Sequence, residues 1–275
     1  ASATATTQVL AQNLDALLTG LLLGPRAVGL YRLAARLAST VTDLSIRSGQ
    51  AAALPDFRRR RDEAQTSLRT RILRVQHATS LTSLPLYGVL GGASFVIPRI
   101  FGPEWNDTSI CILLFSLTGI VYAVTATALP VFQAINKPGL LSFANLVSIL
   151  ATGLGFIFLA ITARDWSTPS QLAGIALIRL GTTVLVAPVI LRALEKYAEV
   201  KWQSLLRTSA SGFVAALAAI VLGLWVTEEA PSDVSLVLAL AMVVGTSASA
   251  AVGVIILIER RRIATLVRNR RSSIS

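Results

Sequence analysis

Residues Asn13 to Leu37 read NLDALLTGLLLGPRAVGLYRLAARL. The stretch is mostly apolar, yet it carries Asp15, Arg32 and Arg36. A hydrocarbon core needs about 20 apolar residues per helix. The run is therefore nearly long enough for two membrane crossings, and Gly24-Pro25 breaks it where a turn would fall. Charges at membrane depth are costly, so a carboxylate and two guanidinium groups here belong on helix surfaces turned toward a bundle interior or a water-filled cavity.

Outward from this stretch the same character continues. The chain has 275 residues, 53% hydrophobic and 14% charged, with a mean hydropathy of +0.67. A soluble domain carries nearer a quarter charged residues, so a soluble enzyme is excluded. Eight apolar segments are expected to cross a membrane: 5–23, 28–52, 73–97, 108–134, 139–163, 170–192, 205–226 and 234–258. The first two are amphipathic. The breaks between segments carry turn chemistry, as in GPRA at 24–27, INKPG at 135–139 and TEEAPSD at 227–233. The fold class is all-α membrane protein with about eight transmembrane helices. The opening ASATATTQVL has no basic n-region and no cleavage motif, and reads as an internal boundary of a longer chain.

Loop charges fix an expected orientation. Eight spans sort the loops into two sets. One set holds 55–74, 135–139, 192–207 and the tail after 258, with eighteen Lys and Arg against six Asp and Glu, a net of +12. The other loops hold three bases and six acids, a net of −3. Basic loops stay cytoplasmic, so both termini of this segment are expected in the cytoplasm. Topology and anionic lipids account for the RRRR run at 58–61 and the basic tail, leaving no call for a nucleic-acid partner. Loop 55–74 is expected to lie as an interfacial amphipathic helix, with bases around Phe57, Leu68 and Ile72.

Six charges remain inside the segments: Asp15, Arg32, Arg36, Asp43, Arg47 and Arg179. At 100° per residue, Arg32, Arg36, Asp43 and Arg47 fall at about 0°, 40°, 20° and 60°. They form one stripe along the second segment, and Asp43 and Arg47 are spaced for an i,i+4 ion pair. Such a stripe faces another helix or water, with Asn13 and Asp15 on the preceding helix as its natural partners. The charges either neutralise one another between helices or line a cationic cavity. The excess of Arg over Asp, and Arg179 deep in the sixth segment, favour the cavity. Arg suits phosphate because its planar fork binds bidentately. Gly20 and Gly24 form a GxxxG pattern that permits close helix approach.

Other chemistry is sparse. Cys111 is the single cysteine, set in an apolar run and expected to be a buried small side chain. His77 is the single histidine and has no nucleophile motif beside it. No P-loop, HExxH or GxSxG occurs. The chain is therefore expected not to be an enzyme and to need neither a metal nor another cofactor.

The opening stretch resembles the segment that begins the C-terminal half of bacterial Wzx-type polysaccharide flippases, within the multidrug/oligosaccharidyl-lipid/polysaccharide exporter superfamily. That pattern is N-x-D-x-x-L-I-G-x-x-L-G-x-x-A-x-G-x-Y-x-x-A-x-R. Asn13, Asp15, Leu18, Gly20, Leu23, Gly24, Ala27, Gly29, Tyr31, Ala34 and Arg36 meet it, with Thr19 where Ile is commoner. FGPEW at 101–105 is similar to the F-G-x-x-W before the next helix, and QAINKP at 133–138 to a Q-A-x-x-x-P turn. The motif resemblance covers about 10–140.

The resemblance implies a fourteen-helix fold in which this chain supplies the last eight. Residues 1–192 would be the C-terminal six-helix lobe, and 193–275 two additional helices and a basic cytoplasmic tail. It implies a transporter of the bacterial inner membrane that flips a lipid-linked oligosaccharide of the polyprenyl diphosphate type by alternating access. An N-terminal lobe or partner chain would complete the cavity, and polysaccharide assembly proteins and membrane lipids are further expected partners. Arg32, Arg36, Arg47 and Arg179 are the expected substrate-binding residues. Asn13, Asp15 and Asp43 are the expected cavity or coupling residues. Two alternatives stay open: a drug or metabolite exporter of the same superfamily, and a non-transporting membrane scaffold of a polysaccharide assembly complex.

Overall fold

The computed structural model describes the backbone of residues 16–59, 65–137, 139–163, 166–229 and 236–272. Among these residues the structure is helical, with no strand. It is an all-α membrane protein. Helix α1 covers 16–23. Helix α2 (Pro25–Val41) runs through a π-helical turn, Thr42–Arg47, into α3 (Ser48–Arg59). Helix α4 is Gln65–Gly92, and the short α5 is Ile97–Phe101. A 3₁₀ turn, Pro103–Thr108, leads into α6 (Ser109–Val124) and α7 (Ala128–Ala134). The remaining helices are α8 (Gly139–Thr162), α9 (Thr168–Ala198), α10 (Trp202–Glu229) and α11 (Leu236–Ser272).

Five of the described helical stretches are long and apolar enough to cross a membrane: Pro103–Ala134, Gly139–Thr162, Thr168–Ala198, Trp202–Glu229 and Val237–Ile258. They make this a multi-pass membrane protein. The expected segment 28–52 is helical as well, and 73–97 is helical apart from a turn at 93–96, but both carry more polar side chains than these five. Of the expected segment 5–23, residues 16–23 are described and helical. The window of Pro103–Ala134 is 67% buried, against 22% for α8 and 17% for α11. The α6–α7 stretch is thus the centre of the bundle, while α8 and the Val237–Ile258 part of α11 leave most of their surface uncovered by the described residues.

Two backbone breaks follow from residue type. Gly24 sits at φ 82, which a residue with a Cβ enters only under strain, and Pro25 then starts α2. The two glycines of GLLLG therefore differ. A Cβ on Gly20 would lie 3.0 Å from Val28, so Gly20 permits close approach between α1 and α2, whereas Gly24 makes the turn. In FGPEW, Gly102 sits at φ 118 and Pro103 opens the 3₁₀ turn that carries Trp105.

The main core joins α2, α6, α8 and α9. Ala27, Leu30, Tyr31 and Ala34 of α2 pack with Cys111, Ile112 and Phe115 of α6 and with Leu172 and Ile175 of α9. Tyr31 and Phe115 meet edge to face at 5.2 Å. Cys111 is fully buried there. A second cluster holds Phe57, Ile72, Phe132, Leu194 and Leu205. This corrects the expected interfacial helix at 55–74. Phe57 is 2% and Ile72 0% exposed, because α3 and α4 turn those side chains inward against α7, α9 and α10 rather than toward headgroups. Residues 60–64, with two of the RRRR arginines, lie outside the described residues.

Helix α4 packs closely against α10 through small residues. Gly88 faces the backbone of Ala216, Gly92 faces Ala219, and Gly212 faces the carbonyl of Ser80. Apolar side chains gain little by leaving lipid, so close backbone approach and hydrogen bonding hold membrane helices together. A polar knot reinforces this contact. Gln76 is fully buried; the two hydrogens of its Nε2 are shared among Ser80 Oγ (3.0 Å), Ala123 O (3.0 Å) and Ser209 Oγ (3.1 Å). Its Oε1 accepts from Thr127 Oγ1 at 3.0 Å, and Ser80 and Ser209 pair at 2.8 Å. His77 joins the same contact, its Nδ1 lying 3.1 Å from Thr208 O. Helix α9 runs on to Ala198, and Glu199 at φ 54 turns the chain toward α10.

Candidate functional site

A cavity of about 850 Å³ lies among α2, α6, α7, α8 and α9. Its lining includes Arg32, Arg36, Arg47 and Arg179. Helix α2 explains two of them. Ala27, Leu30, Tyr31, Ala34 and Ala38 form its buried face, and Arg32 and Arg36 stand exposed on the opposite side. Ser39 and Thr40 both donate to the Arg36 carbonyl, at 2.8 and 2.9 Å.

Arg47 reaches the same wall through the π turn. A π turn widens the helix locally, and such turns are frequent at functional sites. Within it Ile46 is fully buried and Ser45 donates to Val41 O at 2.7 Å. Arg47 Nη1 meets Asp43 Oδ1 at 2.9 Å, the i,i+4 pair expected from the spacing, with both side chains about half exposed. An exposed pair of this kind adds only about 0.5 kcal/mol of stability, so its effect is on the pose of Arg47. Asp43 itself is not among the cavity-lining residues, so the four-residue stripe reaches the cavity through its three arginines. Arg179 comes from the middle of α9 and is partly buried. Asn13 and Asp15 lie outside the described residues.

The sequence pattern did not disclose the polar side chains between the arginines. Tyr87, Gln50, Tyr122, Thr118 and Asn145 also line the cavity. The Tyr87 hydroxyl and Thr42 Oγ1 are 2.6 Å apart, which ties α4 to the π turn. Trp105 closes part of the wall, giving the tryptophan of FGPEW a place at the cavity.

The centre of the site is a broken helix. Turn residues Thr125–Thr127 separate α6 from α7. Pro130 has no N–H, so the carbonyl of Ala126, four residues earlier, loses its helical donor. Gln50 Nε2 donates to that carbonyl at 2.7 Å. Gln76 Nε2 supports the Ala123 carbonyl on the other side of the break. Irregular backbone persists at membrane depth only where protein or a cavity satisfies it, and here two glutamines do so. The available signal was Pro130 inside an apolar run, which requires a side-chain donor from elsewhere. Among the described residues no group of His, Cys, Asp and Glu is arranged to hold a metal.

Residues 1–110 match a family model described as "Polysaccharide biosynthesis protein". The matched region contains α1 to α5, and with them Arg32, Arg36 and Arg47. It is less than half of the 275-residue chain. The similarity supports a polysaccharide-related membrane function. No curated protein and no solved structure gives a significant match.

Proposed function

We propose that the protein is a flippase-type transporter for a lipid-linked oligosaccharide, working without catalytic chemistry of its own. The observation that carries this reading is the cavity with Arg32, Arg36, Arg47 and Arg179 on its wall. Four guanidinium groups on the wall of one cavity suit a diphosphate, which takes bidentate, charge-assisted hydrogen bonds from arginine. The tyrosines, glutamine and asparagine between them suit sugar hydroxyls. The family similarity over residues 1–110 agrees with a polysaccharide substrate.

In this proposal the diphosphate meets the arginines, the sugars fill the cavity, and the lipid tail stays in the bilayer. Asp43 holds Arg47 in pose, and Asn13 and Asp15 serve the cavity or coupling. A second lobe, in the same polypeptide or a partner, faces the cavity and rocks against this one. The proposed membrane is the bacterial inner membrane, with both ends of this segment cytoplasmic. The support for that orientation is the net loop charge, +12 on one side and −3 on the other.

The test is polysaccharide output in cells that depend on this protein. Arg36→Ala is expected to abolish export while the protein level in the membrane is unchanged. Unchanged output from that variant would overturn the reading. An inert series across all four arginines would favour a scaffold of the assembly machinery.

A further inference from the structure

The chain has four tryptophans, and one of them is placed differently from the rest. Trp166, Trp202 and Trp225 stand near helix ends and are 50%, 43% and 58% exposed. Tryptophans so placed suit the headgroup belt of a membrane protein. Trp105 is only partly exposed, packs against the main core and lines the arginine cavity. A belt anchor would face outward, so Trp105 calls for another account.

The local backbone fixes its position. Gly102 at φ 118 and Pro103 set the 3₁₀ turn, in which the Trp105 backbone N–H donates to the Gly102 carbonyl at 3.1 Å. That turn touches α2, α6 and α9. Phe101 braces the indole, the ring centroids 6.1 Å apart and the planes at 53°. Yet the indole N–H has no hydrogen-bond partner among the described residues, and it is not sealed in the core either. Tryptophan N–H groups usually find a partner when buried. Trp105 therefore presents a flat apolar ring with an unspent donor at its edge. The cavity it lines is long. Its lining runs from Trp105, just before α6, through Phe115 and Tyr122 to Thr125, just after it. The 16 residues of α6 make that length about 24 Å. A diphosphate at the arginines fills only part of it.

We infer that Trp105 is the stacking platform for a sugar ring of the substrate, at the end of the cavity where α6 begins. One face of a pyranose carries C–H groups, which lie well on an indole. Its rim carries hydroxyls, one of which accepts from the indole N–H. The inference rests on the flippase reading and adds to it the residue that tells a glycosylated lipid from the bare carrier. In the proposed orientation this end of the cavity faces away from the cytoplasm, so the platform meets the sugar on the exit side.

The test separates the sugar from the diphosphate. The full chain in nanodiscs is titrated with a long-chain prenyl diphosphate, either bare or carrying a hexose trisaccharide. The unmodified chain is expected to bind the glycosylated lipid at least tenfold more tightly than the bare one. In Trp105→Leu that advantage is expected to fall below twofold, while affinity for the bare lipid stays within threefold. Trp105→Phe, which keeps a flat ring, is expected to retain a clear part of the advantage. Equal affinity of the unmodified chain for the two lipids, an undiminished advantage in Trp105→Leu, or a parallel loss for both lipids in that variant would overturn the platform while diphosphate binding stood. Absence of binding of the bare prenyl diphosphate to the unmodified chain would instead remove the flippase reading, and the platform with it.

Discussion

Replacing Gln76 with methionine isolates the polar knot that holds α4, α10 and the broken helix together. The two side chains are close in shape, so the change removes hydrogen bonds with little change in volume. About three bonds are lost: the two Nε2 hydrogens, shared among acceptors at 3.0, 3.0 and 3.1 Å, and one bond accepted from Thr127 at 3.0 Å. Side-chain hydrogen bonds in membrane proteins average about 0.6 kcal/mol each, which gives about 2 kcal/mol. A second route reaches the same size. After the change Ser80 and Ser209 still have each other at 2.8 Å, and Ala123 O still accepts from Ala126 N at 3.3 Å. Thr127 Oγ1 is left stranded, at a cost of about 1–3 kcal/mol. Unfolding of the detergent-solubilised protein, followed by circular dichroism across a denaturant series, should therefore shift by about 2 kcal/mol, roughly thirtyfold in the equilibrium constant. Thr127→Val in the Gln76→Met background should recover part of that loss, because it removes the stranded hydroxyl. A Gln76→Met shift below about 0.5 kcal/mol, or a Thr127→Val change that adds to the loss, would refute the reasoning.

Two further outcomes follow from close packing. A Cβ at Gly119 would overlap the Tyr87 ring. Gly119→Ala should push that ring off Thr42 and destabilise by about 1–3 kcal/mol, and Thr42→Val should then add less in this background than in the parent. A Cβ at Gly88 would lie 2.7 Å from the Ala216 carbonyl. Backbone cannot yield as a side-chain tip can, so Gly88→Ala should lower the unfolding midpoint, while Gly29→Ala, where a Cβ meets nothing within 4 Å, should not.

Much of the architecture is written in local pattern. Apolar runs of membrane length place α6 through α11, and the Gly24-Pro25 pair places the turn before α2 because only glycine accepts φ 82 readily. The facing of Arg32 and Arg36 follows from helical spacing alone, since both lie opposite the alanine-rich face of α2. What stays hidden in sequence is contact between distant residues. Gln50 caps a carbonyl 76 positions away, Gln76 reaches Ala123 and Ser209, 47 and 133 positions away, and Tyr87 meets Thr42 across 45 positions. A glutamine in an apolar helix gives no sign of which broken helix it serves. The π turn is hidden for a related reason. Ile46 is buried within it and Thr42 meets Tyr87 from far along the chain, and periodicity at 100° per residue cannot register such contacts. The same periodicity places Asp43 on the arginine stripe, whereas the structure leaves it off the cavity lining. The expected interfacial helix at 55–74 fails because Phe57 and Ile72, read locally as an apolar edge, meet Phe132, Leu194 and Leu205 from far along the chain.

The central claim is that the arginine wall binds the diphosphate of a lipid-linked sugar. Its most direct measurement is the affinity of the full chain, held in a nanodisc, for a prenyl-diphosphate-linked oligosaccharide, compared with the same lipid carrying a neutral linkage. The account predicts binding to the diphosphate form alone, weakened by salt, with about a tenfold loss on Arg36→Gln and a larger loss when Arg32, Arg47 and Arg179 are also neutralised. Equal affinity for the neutral lipid, or no change across those substitutions, would contradict it.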